Sequence, residues 1–243
     1  MKLYASALAL ALASLLSGCG DGRDAAPQAS QAAGTTAPGA AVSAEAPLPV
    51  MGREVRIVAL GDSLFAGYGL NPGESYPARL EAALRAKGVN ARIANAGVSG
   101  DTTAGGLQRL TFTLGSQPSP PDLVLISLGG NDMLRGLPPE QTRANLDAIL
   151  AELDRRKIPA VLMGMLAPPN LGPDYAARFN PIYPSLAKKH GAKLVPFFLQ
   201  AIIDKPDLRQ ADHIHPTARG VEAVVGATAA DVAGSVPSAS PSL

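Results

Sequence analysis

Tryptophan is missing from these 243 residues, and phenylalanine and tyrosine bring the aromatic share only to 4%. That shortage argues against a stacking platform for bases or sugar rings. Charge is scarce too. Charged residues make up 17% of the chain and the formal net charge is +1, so nothing points to a nucleic-acid or polyanion partner. A single cysteine excludes an internal disulfide. His213 and His215 stand close to Asp212, but no second histidine pair or acidic cluster accompanies them to complete a metal shell. No metal or cofactor is therefore expected. No internal repeat is present either, and this length gives one domain with ample chain for a core.

What is present begins with an export pattern. Met1-Lys2 precedes an Ala/Leu run through Leu16, shorter than the roughly 20 apolar residues that span a membrane. The run ends in Leu16-Ser17-Gly18-Cys19, which is similar to the lipobox of bacterial lipoproteins; a plain secretory signal is the alternative. The lipobox reading makes residues 1–19 a signal peptide and Cys19 the lipidated residue. Several acyl chains on one residue anchor stably where a single chain does not. Gly20 rather than aspartate follows the cysteine, and the resemblance to Gram-negative lipoproteins then implies the periplasmic side of the outer membrane; a soluble periplasmic protein is the alternative. Residues 20–51 are rich in Ala, Gly, Pro, Gln, Ser and Thr without hydrophobic period, the composition of a disordered tether. The domain then spans 52–234, and a Pro/Ser tail of residues 235–243 is expected to be disordered.

Within the domain, strand and helix patterns alternate. Val55–Ala59, Ala91–Ala94, Leu123–Ser127, Ala160–Met165 and Lys193–Phe197 read as strands. Helices are predicted from Ser75 to Gly88, Thr103 to Leu114, Pro139 to Arg156, Tyr175 to His190 and Thr217 to Val232. In the third of these, Leu146, Ile149, Leu150 and Leu153 follow the i, i+3, i+4, i+7 spacing of an amphipathic face. Five such alternations predict a parallel sheet in a three-layer α/β/α sandwich. In that arrangement all strand C-termini open on one edge, so the segments around Ser63, Gly100 and Asn131 converge.

The segment after the first strand, Leu60-Gly61-Asp62-Ser63-Leu64, supports two readings. In one, Gly61 permits a sharp turn and Asp62 or Ser63 merely caps the next backbone N–H groups. In the other, Ser63 is a nucleophile and the free N–H groups stabilise developing negative charge. Near the C-terminus, His215 is either an N-terminal helix residue or the base that such a serine requires. Asp212, three residues earlier, is close enough to fix the imidazole tautomer. His213 reads as a solvated neighbour, with a rim contact the alternative; Asp101 and Asp132 read as structural, bonding turn backbone, with shaping of the site the alternative. His190 reads as a helix C-terminal residue facing the dipole. Leu134, Leu137, Leu166 and Leu171 fit either an acyl groove or ordinary packing.

Taken together, Gly61-Asp62-Ser63-Leu64, Ser99-Gly100-Asp101, Gly129-Gly130-Asn131-Asp132 and Asp212-x-x-His215-Pro216 resemble the blocks of the SGNH (GDSL) hydrolase family. The similarity is greatest to its thioesterase I, lysophospholipase L1 and arylesterase subgroup. It implies a flavodoxin-like fold with a five-stranded parallel sheet and the triad Ser63, His215 and Asp212. It also implies an oxyanion hole formed by Ser63, Gly100 and Asn131, with Leu134 and Leu166 contacting substrate. The implied substrates are short to medium acyl or aryl esters, thioesters and lysophospholipids. Glycan O-deacetylation and a non-catalytic, lipid- or glycan-binding lipoprotein are the alternatives.

Overall fold

The computed structural model describes residues 50–237. The expected signal peptide with Cys19, the expected tether through residue 49 and the tail from residue 238 lie outside the described residues. Five strands, β1 (Val55–Gly61), β2 (Ala91–Gly97), β3 (Leu123–Ser127), β4 (Ala160–Met163) and β5 (Lys193–Val195), form one parallel sheet. Their order is β2-β1-β3-β4-β5. β3 is buried at every position and β1 at all but one, because strands covered by helices on both faces have no solvent side. β2 and β5 lie at the edges and carry exposed residues.

Between and after the strands come α1 (Ser63–Ala66), α2 (Tyr76–Ala86), α3 (Thr103–Gly115), α4 (Gly130–Leu134), α5 (Pro139–Arg156), α6 (Pro173–Phe179), α7 (Ile182–His190) and α8 (Ala218–Ala233). Parallel connections are right-handed, so the single step from β1 to β2 puts α2 on one face. The steps in the opposite direction put α3, α5 and α7 on the other. The packing agrees: α2 lies against α8, and α5 lies between α3 and α7. The expected three layers are thus present. Among the described residues, no helix is long and apolar enough to cross a membrane.

The Leu146, Ile149, Leu150 and Leu153 face of α5 is fully buried, as its spacing requires. The predicted helix from Tyr175 to His190 is instead two, α6 and α7, parted at Asn180-Pro181. Pro181 has no N–H to continue the ladder, and the Asn180 side chain accepts a 2.8 Å bond from the Ala167 N–H. α2 begins where expected, but the Ser75 side chain makes no capping bond. The short helices α1 and α4 are too brief to carry a period and were not legible in the sequence. β2 runs three residues beyond the expected Ala94, while β4 and β5 stop two short of theirs.

Candidate active site

Strand order reverses at β1 and β3, and open parallel sheets receive ligands outside the carboxyl ends at such a point. Ser63 follows β1 there, and Gly129 to Asp132 follow β3. A cavity of about 360 Å³ opens between them, lined by Ser63, Gly100, Asn131, Leu134, Leu166 and His215 among others. Phe65, two residues after Ser63, joins a buried aromatic cluster: it stacks on Tyr76 at 5.4 Å, and Phe198 meets both edge-on. Gly61 is needed for this packing rather than for the sharp turn expected of it. A Cβ there would lie 2.6 Å from the Phe65 ring.

Ser63 Oγ lies 2.8 Å from His215 Nε2, and His215 Nδ1 lies 2.6 Å from Asp212 Oδ2. The second carboxylate oxygen of Asp212 accepts the Ile214 and His215 backbone N–H groups at 2.9 and 3.0 Å. Burial pushes the Asp212 carboxyl up, but the bonds from His215 and Ile214 outweigh it and hold the pKa at about 2. The aspartate is therefore ionised at neutral pH and holds the imidazole with a proton on Nδ1. That leaves Nε2 as an acceptor for the serine hydroxyl.

Two backbone donors beside this pair are unspent. Asp62 Oδ1 caps the Leu64 N–H at 3.0 Å, leaving the Ser63 N–H without a partner among the described residues. The Gly100 N–H is likewise unpaired among them, with the residue at φ +80°, in the region that favours glycine. Asn131 Nδ2 donates to the Asp101 carbonyl at 2.9 Å, which fixes the amide. Its other reach, 3.5 Å to Asp62 Oδ2, is longer than a normal bond. Burial raises the Asp62 carboxyl to about 6, against lowering by the Leu64 N–H bond and by His215.

Two side chains not singled out in the sequence hold this edge together. Arg109 on α3 binds Asp101 at 2.7 Å and the carbonyls of Ala96 and Gly61 at 2.7 and 2.8 Å. It thereby ties the ends of β1 and β2 to the turn bearing Gly100. Tyr68 places its ring 4.5 Å from that of His215, and Gln210 Nε2 binds the Tyr68 carbonyl at 2.8 Å. Local pattern shows neither role in full: the Arg109 bond to Gly61 spans 48 residues and the Gln210 bond to Tyr68 spans 142.

Asp101 and Asp132 have the structural roles expected. Asp132 is buried and accepts from Thr103 N at 2.8 Å, Thr103 Oγ1 and Thr142 Oγ1, binding the starts of α3 and α5 to α4. Leu134 and Leu166 line the cavity and remain exposed, whereas Leu137 and Leu171 are absent from its lining. His213 is exposed as expected, with φ +60°, and also contributes to the cavity rim. Cys19 lies outside the described residues.

Residues 59–223 match the model of the GDSL-like lipase/acylhydrolase family. An arylesterase from Vibrio mimicus is 41% identical over 161 residues, covering 66% of this chain and 80% of the relative. Thioesterase 1/protease 1/lysophospholipase L1 from Escherichia coli K12 is 40% identical over 160 residues, covering 66% of this chain and 74% of that one. Among solved structures, AlinE4, described as an SGNH-hydrolase family esterase, is 64% identical with a TM-score of 0.66; 77% of this chain and 100% of that one are covered.

Proposed function

The chain belongs to the GDSL-like lipase/acylhydrolase family, and from that premise we propose that it is a serine esterase acting through Ser63, His215 and Asp212. The 2.8 Å contact between Ser63 Oγ and His215 Nε2, beside unspent N–H donors, carries this reading. Ser63 Oγ attacks the acyl carbonyl while His215 Nε2 takes its proton, and Asp212 stabilises the imidazolium. The carbonyl oxygen becomes an oxyanion held by the Ser63 and Gly100 N–H groups and the Asn131 amide. His215 then gives its proton to the departing alcohol or thiol, leaving an acyl-Ser63 ester. Water, deprotonated by the same histidine, attacks that ester and frees the carboxylic acid and Ser63.

The substrates proposed are esters and thioesters of short to medium acyl chains, aryl esters and lysophospholipids. An apolar wall including Met133, Leu134, Met165 and Leu166 suits an acyl chain better than a sugar ring. Hydrolysis of p-nitrophenyl esters from C2 to C16 tests the reading. Wild type is expected to show a chain-length optimum, and Ser63→Ala to lose turnover while staying folded. Failure of wild type on every ester would sink the proposal.

We further propose that the protein is exported and held at the periplasmic face of the outer membrane by lipid on Cys19. The support is the apolar run ending at Leu16-Ser17-Gly18-Cys19. Labelled palmitate should enter wild type and not Cys19→Ser; equal labelling would refute the anchor.

A further inference from the structure

Arg209 stands in the wall of the catalytic cavity, and it is the one lysine or arginine among the described residues that line it. An antiparallel bridge pairs Arg209 with Pro216, the residue after His215. The loop between them is closed by the Gln210 N–H on the His215 carbonyl at 2.7 Å and the His213 N–H on the Gln210 carbonyl at 2.9 Å. Arg209 is therefore fixed, through its backbone, on the same loop as the catalytic imidazole.

Its charge is uncompensated. Nη1 donates to the His213 carbonyl at 2.9 Å, while Nε is closed off from water and has no partner. Among the described residues no carboxylate pairs with Arg209: Asp212 is engaged by His215, and Asp207 faces Arg219 at 3.6 Å. The neighbouring cavity wall is apolar, with Ile202, Ile203 and Ile214. With its one bond made to a neutral carbonyl, the guanidinium keeps Nη donors for an incoming anion, and the apolar wall strengthens such a pair.

The reaction geometry says which part of a substrate carries that anion. The carbonyl oxygen points to Gly100 and Asn131, and the leaving atom must face His215 to receive its proton. Arg209, on the His215 loop, is thus on the leaving-group side. We propose that Arg209 forms a subsite for a phosphate on the leaving alcohol or thiol, making phosphate-bearing esters and thioesters favoured substrates. Guanidinium suits phosphate through its planar fork of charged donors. This inference rests on the esterase reading above.

Two substrate pairs with a common decanoyl chain test it, kept below micelle-forming concentrations. One pair is 1-decanoylglycerol 3-phosphate against 1-decanoylglycerol. The other is decanoyl-coenzyme A against the neutral decanoyl N-acetylcysteamine thioester. The ratio of kcat/KM, phosphorylated over neutral, should fall about tenfold or more in Arg209→Gln, mainly through KM, with Arg209→Lys retaining part of the preference. A fall confined to the glycerol pair identifies a lipid headgroup as the source of the phosphate; one confined to the thioester pair identifies a phosphorylated thiol; a fall in both leaves the shared phosphate chemistry as the determinant. Unchanged ratios in both pairs overturn the subsite. So does a parallel loss on all four substrates, which would make Arg209 a prop for the loop. A wild type that turns over neither the neutral nor the phosphorylated compounds would refute the esterase reading itself, and the subsite with it.

Discussion

His215 has Ser63 Oγ at 2.8 Å on one nitrogen and Asp212 at 2.6 Å on the other, whereas His190, at the end of α7, has Asp154 and Asp147 at 2.6 Å each. The two rings are held with similar contacts, yet their chemistry differs. A carboxylate on each side obliges both His190 nitrogens to donate, so its ring is retained as the imidazolium. Burial pulls its pKa down, but the bonds to Asp154 and Asp147 outweigh that and leave it raised. Such a ring has no lone pair for a proton. At His215 the second neighbour is a neutral hydroxyl, so one nitrogen stays free to accept. A base is thus made by what the imidazole lacks on one side as much as by the carboxylate on the other.

The strongest way to break the contrast is to spoil one carboxylate in each cluster. Asp212→Asn turns an amide N–H toward His215 Nδ1 and forces the proton onto Nε2, the wrong tautomer for accepting from Ser63. A loss of about 10⁴-fold in kcat is expected, with the fold intact. Asp154→Asn should leave kcat near wild type and lower Tm instead. Steady-state kinetics and thermal melts of the two variants, side by side, decide it; equal kinetic losses would erase the distinction.

A smaller effect separates charge stabilisation from proton transfer at the same site. Asn131→Ala removes a donor of the oxyanion hole without touching the His215 contacts, and should reduce kcat by about 10²–10³-fold. Unchanged turnover would remove Asn131 from the mechanism.

The smallest effect concerns stability and pH. The folded pKa of His190 is raised above its ordinary value of 6.5, so its pairing with Asp147 and Asp154 stabilises fully below that value. The contribution is lost as pH climbs through the raised folded pKa. Melting curves of wild type and His190→Gln should be furthest apart at acid pH and converge toward alkaline pH. Lys189 also binds Asp147, at 2.7 Å, and keeps that carboxylate paired in the variant. A gap that widened with rising pH would contradict the charged-ring account.

Much of the architecture was legible because its signals are local. β3 reads as a continuous apolar run and α5 as a clean helical stripe, and both stand where the sequence puts them. Splitting of the Tyr175–His190 helix was also written locally, in Pro181, but the periodic apolar pattern on either side hides it. The purpose of Gly61 was not legible at all. Its need for a missing side chain is set by the Phe65 ring folded back over it.

The sequence by itself determined the strand and helix order, and with it the sheet edge on which Ser63, Gly100 and Asn131 would meet. Parallel strands send every such turn to one side, so that convergence follows from order alone. Tertiary structure decided what each group faces there. Ser63 and His215 are 152 residues apart, and only packing sets their separation at 2.8 Å. The same packing gives Arg109 its three partners, leaves Arg209 without a carboxylate among the described residues, and sets His190 between two. Such pairings arise from elements brought together across the chain, so their geometry has no local signature in the residues that make it.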